Sequence, residues 1–359
     1  MNPAQRAGVA GVALVAAAVG ATAGLAAERV VVGRRLRRGG STPGRMGLGQ
    51  LRGPSRRVTC EDGVELHVEV EEAHRSAPWK DLTVVFVHGY ALNQDCFHFQ
   101  RLALHGSARL VFYDQRSHGR SGRGTPESST LAQLASDLET VIEATAPEGP
   151  LVLVGHSMGG MTILELARVA PQLFGERVLG VALLSTSAGE MAGVTLGLPS
   201  VAVRTLRKMA PSVIQLGRRG ADLIERGRAL SNDLGLMVTK IYAFDEDVPV
   251  ELVDFSLEMI NGTPVDVLAD FYPALVDHNA FDCLDRLNGT ETLVVVGRRD
   301  LLTPTDHSQA LVRGIPGAEL EILDPGGHLV MLERPDDVNA LLIDLLDRVA
   351  RAVGEPAGD

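Results

Sequence analysis

The feature that most restricts this chain is the stretch Leu151-Val152-Leu153-Val154-Gly155-His156-Ser157-Met158-Gly159-Gly160. Four apolar residues read as a buried strand, and Met161-Thr162-Ile163-Leu164-Glu165-Leu166-Ala167 reads as a helix. Between them stands G-x-S-x-G, a sharp turn that carries a serine. A turn this tight brings the strand and helix backbones together, so Gly155 and Gly159 must lack side chains. The turn lifts the Ser157 hydroxyl clear of the sheet. The first amides of the helix face the same space, where negative charge is stabilised. In a glycine-rich chain the pattern alone also fits an ordinary strand-to-helix turn, so its meaning depends on the rest of the sequence.

Around this stretch, strands and helices alternate. Arg57 to Cys60 and Val64 to Val70 read as two strands joined across Glu61-Asp62-Gly63. Buried runs follow at Leu82–Val87, Arg109–Tyr113, Leu151–Val154, Val178–Leu184 and Thr292–Val296, with a short last one at Leu320–Leu323. Leu131 to Ala144 is helical by its spacing, and Val338 to Val349 closes the chain as an amphipathic helix. Apolar strands alternating with helices predict an α/β fold, a mostly parallel sheet flanked by helices on both faces. Active groups in such sheets sit beyond the carboxyl ends of the strands. The alternation breaks between Ala188 and Leu284, where Ala202–Met209, Ala221–Leu230 and Glu251–Ile260 are helical and no buried strand is evident. This predicts an inserted helical cap. The expected segments are 1–28, a hydrophobic membrane anchor or signal segment; 29–55, a flexible basic linker; 56–187, the first part of the core; 188–285, the cap; 286–353, the second part of the core; and 354–359, a tail.

The uncharged stretch Ala7–Ala27 is long enough to cross a bilayer, which takes about 20 residues. It is rich in Ala and Gly. A membrane anchor is the preferred reading; a signal peptide cleaved near Ala21-Thr22-Ala23 or Leu25-Ala26-Ala27, giving a secreted protein, and an Ala-rich soluble helix are the alternatives. Only Arg6 precedes the stretch, while Arg29, Arg34, Arg35, Arg37 and Arg38 follow it. That asymmetry predicts a membrane-associated protein with the folded domain in the cytoplasm. A net charge of -11 argues against nucleic acid as a partner. The three scattered cysteines, Cys60, Cys96 and Cys283, have no C-x-x-C spacing and no nearby histidine cluster, so they read as free thiols and not as a disulfide framework or zinc site.

A serine hydroxyl is a weak nucleophile near neutral pH and needs a base, itself oriented by a third group. Among ten histidines, His328 stands apart, because Asp324-Pro325-Gly326-Gly327-His328 follows the last short strand. The orienting acid should end an earlier strand. Asp300 does so in Gly297-Arg298-Arg299-Asp300, with Asp306 and Asp324 as weaker rivals. An oxyanion needs two backbone donors, and the amides of Met158 and Tyr90 are the candidates. His88 and Gly89 brace the second of these, and His156 packs or bonds within the elbow. The expected chemistry is acyl transfer from an ester-like substrate to water. No metal and no organic cofactor is expected. Met191, Leu196, Leu198, Met237 and Met259 would supply either an apolar wall for a small-molecule substrate or the core of the cap.

These residues carry a resemblance. From about Arg57 to Val353 the chain resembles the capped branch of the α/β-hydrolase superfamily. The family order of nucleophile, acid and histidine matches Ser157, Asp300, His328. Its H-G-x oxyanion loop matches His88-Gly89-Tyr90. Its D-x-R-G-x-G-x-S loop resembles Asp114-Gln115-Arg116-Ser117-His118-Gly119-Arg120-Ser121, with Ser117 standing where the family has glycine. The branch includes esterases, lactonases, cofactor-free perhydrolases and carbon–carbon bond hydrolases. Serine at the elbow separates the chain from family members that use aspartate there on carbon–halogen bonds or epoxides. The resemblance implies a serine hydrolase, with perhydrolase or carbon–carbon hydrolase chemistry as one alternative. A membrane-tethered ligand-binding protein on the same fold is the other.

Overall fold

The computed structural model describes residues 47–191, 194, 232–245 and 248–354. The apolar runs form eight strands: β1 (Ser55–Thr59), β2 (Glu65–Glu71), β3 (Trp79–Val87), β4 (Ala108–Tyr113), β5 (Leu151–His156), β6 (Val178–Leu184), β7 (Glu291–Gly297) and β8 (Glu319–Leu323). They join in the order β1-β2-β4-β3-β5-β6-β7-β8. β1, β2 and β4 are antiparallel neighbours, and β4 through β8 are parallel. The mostly parallel sheet expected from the sequence is therefore present, led in by the expected hairpin.

The runs are continuous because both faces of the sheet are buried. Successive side chains point to opposite faces. In β5, Leu151 and Leu153 enter one core cluster, while Val152 and Val154 enter the other. In β3, Val85 and Val87 pack on the first face, and Val84 and Phe86 on the second. The helices α1 (His98–Leu104), α2 (Leu131–Thr145) and α3 (Met158–Val169) follow β3, β4 and β5. Thr130 caps α2, its side chain accepting from the Gln133 amide. Leu134, Leu138, Val141 and Ile142 are buried at helical spacing along α2.

Between β6 and β7 the described residues form α4 (Asn232–Ala243), α5 (Val250–Gly262) and α6 (Val265–Val276). The expected helix Glu251–Ile260 lies within α5; those at 202–209 and 221–230 lie outside the described residues. After β7 come α7 (Thr305–Gly314), α8 (Val330–Glu333) and α9 (Pro335–Gly354). Strand order reverses between β3 and β5: from β3 the chain moves outward to β4, then returns to the other side of β3. In parallel sheets this is where a crevice opens at the carboxyl edge.

The amino-terminal expectation is corrected. No helix among the described residues is long and apolar enough to cross a membrane. The stretch 7–27 itself lies outside the described residues. Neither the membrane partner nor the membrane-associated, cytoplasm-facing location expected from the sequence is supported.

Candidate active site

Ser157 sits between β5 and α3 with φ 51° and ψ −117°. This conformation is costly for a residue with a Cβ, at about 1–3 kcal/mol, so its surroundings must hold it. They do so through the backbone: the Ser157 amide donates to the Leu184 carbonyl across 2.9 Å. The Thr186 hydroxyl donates to the Ser157 carbonyl across 2.6 Å. The glycines leave room for the turn. A Cβ on Gly159 would stand 2.0 Å from the Val87 carbonyl oxygen, and one on Gly155 would stand 2.7 Å from the Gly159 carbonyl oxygen.

The loops after β7 and β8 bring Asp300 and His328 together. His328 Nδ1–H donates to Asp300 Oδ2 at 2.9 Å and lies 3.1 Å from Oδ1. Asp300 is only 3% exposed. Its carboxylate also accepts from the Leu302 and Thr303 amides, each at 2.8 Å, and from the Thr303 hydroxyl at 2.8 Å. Burial pushes this carboxyl up, but the His328 charge and these hydrogen bonds outweigh it, so the group lies below the usual carboxylate range. Neither rival reaches His328: Asp324 pairs with Arg298 at 2.7 Å, and Asp306 is exposed in the first turn of α7. Thr303 escaped sequence reasoning. Its signal was the Asp-x-x-Thr spacing, which lets a carboxylate accept from the amide and hydroxyl three residues on.

The elbow and the histidine loop also touch. His156 Nε2–H donates to the His328 carbonyl at 3.0 Å, and the two rings lie 4.9 Å apart. His156 is fully buried, and that burial, followed by the neighbouring His328, lowers its pKa to about 3. It is a neutral structural donor.

After β3, His88 is fully buried with both ring nitrogens occupied. Nδ1–H donates to the Gly89 carbonyl at 2.8 Å, and Nε2 accepts from the Gln115 amide at 2.9 Å. Burial lowers its pKa to about 4. Gly89 lies against the elbow, where an added Cβ would be 3.2 Å from the Ser157 Cβ. The Tyr90 amide follows it. The Met158 amide opens α3, where helix geometry provides no acceptor.

The loop after β4 braces this arrangement. Asp114 accepts from the Gln94 and Arg120 amides at 2.9 and 2.8 Å. Ser117 has φ 64°, so the serine adopts the left-handed turn that a glycine would take, and its hydroxyl accepts from the Gly124 amide at 3.0 Å. Arg116 is fully buried in a fork with Asp137, at 2.6 Å on both arms, and reaches Asp62 at 2.7 Å.

An apolar cluster of Leu131, Leu134, Met158, Met161, Val267 and Phe271 borders the elbow. Of the five wall residues expected from the sequence, Met191 packs against this cluster, whereas Met259 belongs to the core cluster with Phe244 and Leu252. Leu196, Leu198 and the Met237 side chain lie outside the described residues. Val267 and Phe271, which the sequence analysis did not single out, are the buried members that α6 contributes to this cluster.

The sequence profile of the alpha/beta hydrolase family matches residues 84–341. The dihydrolipoyllysine-residue acetyltransferase component of an acetoin cleaving system from Cupriavidus necator is 30% identical over 268 residues. The match covers 72% of this chain and only 62% of that protein. A thermophilic esterase from Thermogutta terrifontis superposes with a TM-score of 0.63 at 25% identity, over 83% of this chain and 100% of the esterase. An enol-lactonase from Burkholderia xenovorans shares the fold, with a TM-score of 0.57 at 22% identity over 82% of this chain and 100% of that one.

Proposed function

The chain belongs to the alpha/beta hydrolase family, and on that premise we propose that it is a serine hydrolase acting on an ester-like bond of a small apolar molecule. Ser157 is the nucleophile, His328 the general base and acid, and Asp300 the group that orients it. The observation that carries this reading is the His328–Asp300 contact at 2.9 Å, made by a histidine that also hydrogen-bonds through its carbonyl to the elbow. With Nδ1–H held by the carboxylate, Nε2 carries the lone pair that takes the Ser157 proton. Ser157 Oγ then attacks the carbonyl carbon. The oxyanion accepts from the amides of Tyr90 and Met158, and the imidazolium beside Asp300 protonates the departing alcohol. Water, deprotonated by His328, releases the acyl group and regenerates the serine.

The same reading assigns residues 188–285 as a cap, with α6 as the wall over the acyl group. The apolar side chains of Val267, Phe271, Met158 and Met161 favour an apolar acyl chain and reject charge. The esterase resemblance supports an ester as substrate.

A fluorophosphonate probe applied to wild type and Ser157→Ala tests the assignment. Labelling at one site per chain that disappears in the variant is expected, together with hydrolysis of 4-nitrophenyl esters. Labelling that survives in the variant, or a folded wild type that the probe never labels, would overturn it.

A further inference from the structure

Tyr90 makes two contacts of different kinds. Its backbone amide stands next to the elbow, and its hydroxyl donates to the Leu268 carbonyl in α6, across 2.5 Å. The side chain thus ties the loop after β3 to the helix whose residues Val267 and Phe271 wall the elbow. Two features make this tie matter. The residue following Tyr90, Ala91, has φ 62° in a turn closed by the Leu92 amide on the Gly89 carbonyl at 3.2 Å, a conformation that alanine does not favour. Pro273 lies inside α6, so the helix lacks the amide that would bond the Ala269 carbonyl. The Tyr90 hydroxyl therefore meets α6 at the carbonyl next to the one left without a helical donor. A second anchor holds the start of the same helix: Arg123, from the loop after β4, pairs with Asp266.

Building on the serine-hydrolase reading, we infer that Tyr90 is a positioning and specificity-determining residue that couples the acyl wall on α6 to the oxyanion-binding loop. An acyl chain that fits beneath Phe271 leaves the tie undisturbed, and the Tyr90 amide stays aimed at the oxyanion. A longer chain pushes α6 outward. Because the hydroxyl is tied to Leu268, this movement pulls on the oxyanion loop, and misalignment of a donor there slows the chemical step. The enzyme then reads acyl length in kcat as well as in KM.

Tyr90→Phe keeps the ring, the packing and the backbone amide, and removes only the tie. The experiment measures kcat and KM of wild type, Tyr90→Phe and Arg123→Gln on 4-nitrophenyl acetate, butyrate and octanoate, each rate divided by sites titrated with the fluorophosphonate probe. Per titrated site, Tyr90→Phe should lower kcat for the best short ester by about tenfold, and the wild-type ratio of short-chain to long-chain kcat should collapse at least about fivefold. Arg123→Gln, which frees the helix start but keeps the tie, should change KM and retain the chain-length dependence of kcat. A uniform loss across all three esters, or an unchanged profile in Tyr90→Phe, would overturn the coupling while leaving the serine-hydrolase reading intact. A wild type that the probe does not label would overturn both.

Discussion

Replacing Gly159 by alanine tests the elbow most directly. The added methyl would stand 2.0 Å from the Val87 carbonyl oxygen, 2.6 Å from its carbon and 2.8 Å from the His88 carbonyl oxygen. Every clashing atom is backbone, so no side chain can rotate away. Relief to ordinary contact requires the end of β3 and the start of α3 to separate by about 1.5 Å. Forcing extra volume into a closed site costs about 1–3 kcal/mol, and rigid neighbours on both sides place this case near about 3 kcal/mol. For a chain of 359 residues that corresponds to a melting temperature lower by roughly 4 °C. The same separation moves the Met158 amide away from the Tyr90 amide. A misplacement of about 1 Å costs on the order of 100-fold in rate, so kcat should fall by about that factor even where the variant is folded. Gly262, at the end of α5, is the control: a Cβ there meets nothing within 4 Å. Gly262→Ala should therefore keep full activity and gain up to about 1 kcal/mol from helix propensity. Differential scanning fluorimetry and ester hydrolysis per titrated site separate the two effects. A Gly159→Ala protein with wild-type melting and wild-type kcat would refute the close approach of α3 to β3, and an equal loss in Gly262→Ala would assign the damage to a general property of glycine.

Two further outcomes are expected. In Asp300→Asn the oxygen stays with the Leu302 and Thr303 amides, turning the –NH2 toward His328; Nδ1 must then accept, Nε2 carries the proton, and kcat should fall by about 10⁴-fold with the melting temperature nearly unchanged. A loss below about tenfold would remove Asp300 from its assigned role. Stability should also fall on mild acidification. Burial holds His88 and His278 at about 4 and His118 and His156 at about 3, so all four are neutral in the fold and bind protons on unfolding below about pH 6.5. The unfolded chain binds more protons in that window, so the stability is complete above pH 6.5 and is lost toward pH 4, by up to about 1.4 kcal/mol per pH unit for each group. Thermal unfolding at pH 7, 6 and 5 checks the sign, and a melting temperature that is flat or rises toward pH 5 would contradict it.

What could be read from the sequence divides along physical lines. Strands buried on both faces write themselves as unbroken apolar runs, which is why β6 was legible to the residue and β4 nearly so. β3 begins earlier than its apolar run, because Lys80 and Asp81 interrupt the pattern where the pairing with β4 slips. The fold and the residue types at the turn were therefore accessible. Contacts made by one polar atom across the fold were not. The Tyr90 hydroxyl meets Leu268, His156 meets the His328 carbonyl, and Arg116 meets Asp137, each pair far apart in the chain. A side chain's identity states what it can donate or accept, and only the fold decides which partner arrives. Asp300 was preferred over Asp306 and Asp324 because it ends a strand, but only the fold shows which of them His328 reaches. The amino-terminal stretch shows the opposite hazard. Length and absence of charge suggested a span, yet Ala and Gly supply little of the apolar area that drives insertion.

Backbone strain points to the same edge of the sheet as the proposed chemistry. Among the described residues, the non-glycine positions with positive φ are Ala91, Ser117, Ser157, Ser185 and Glu190. They follow β3, β4, β5 and β6, the last two both following β6, at the carboxyl ends. Each costs on the order of 1–3 kcal/mol, so each must be over-determined by its neighbours. Ser117 is held by its own hydroxyl, Ser157 by Leu184 and Thr186, and Ser185 by its amide on the Val295 carbonyl at 2.8 Å. The restraints on Ser157 and Ser185 come from the ends of β6 and β7 and the loop after β6, and that on Ser117 from its own loop. Ala91 stands in a turn closed by the Leu92 amide on the Gly89 carbonyl, and next to it Tyr90 is tied to α6, outside the sheet, through one hydroxyl. On the proposed serine-hydrolase reading, the nucleophile is thus fixed by the core, while one of the two oxyanion donors is tied to the wall that meets the acyl chain. On that reading the core holds the reacting atoms rigid while substitutions on α6 retune the substrate, and the coupling between the two lies at Tyr90.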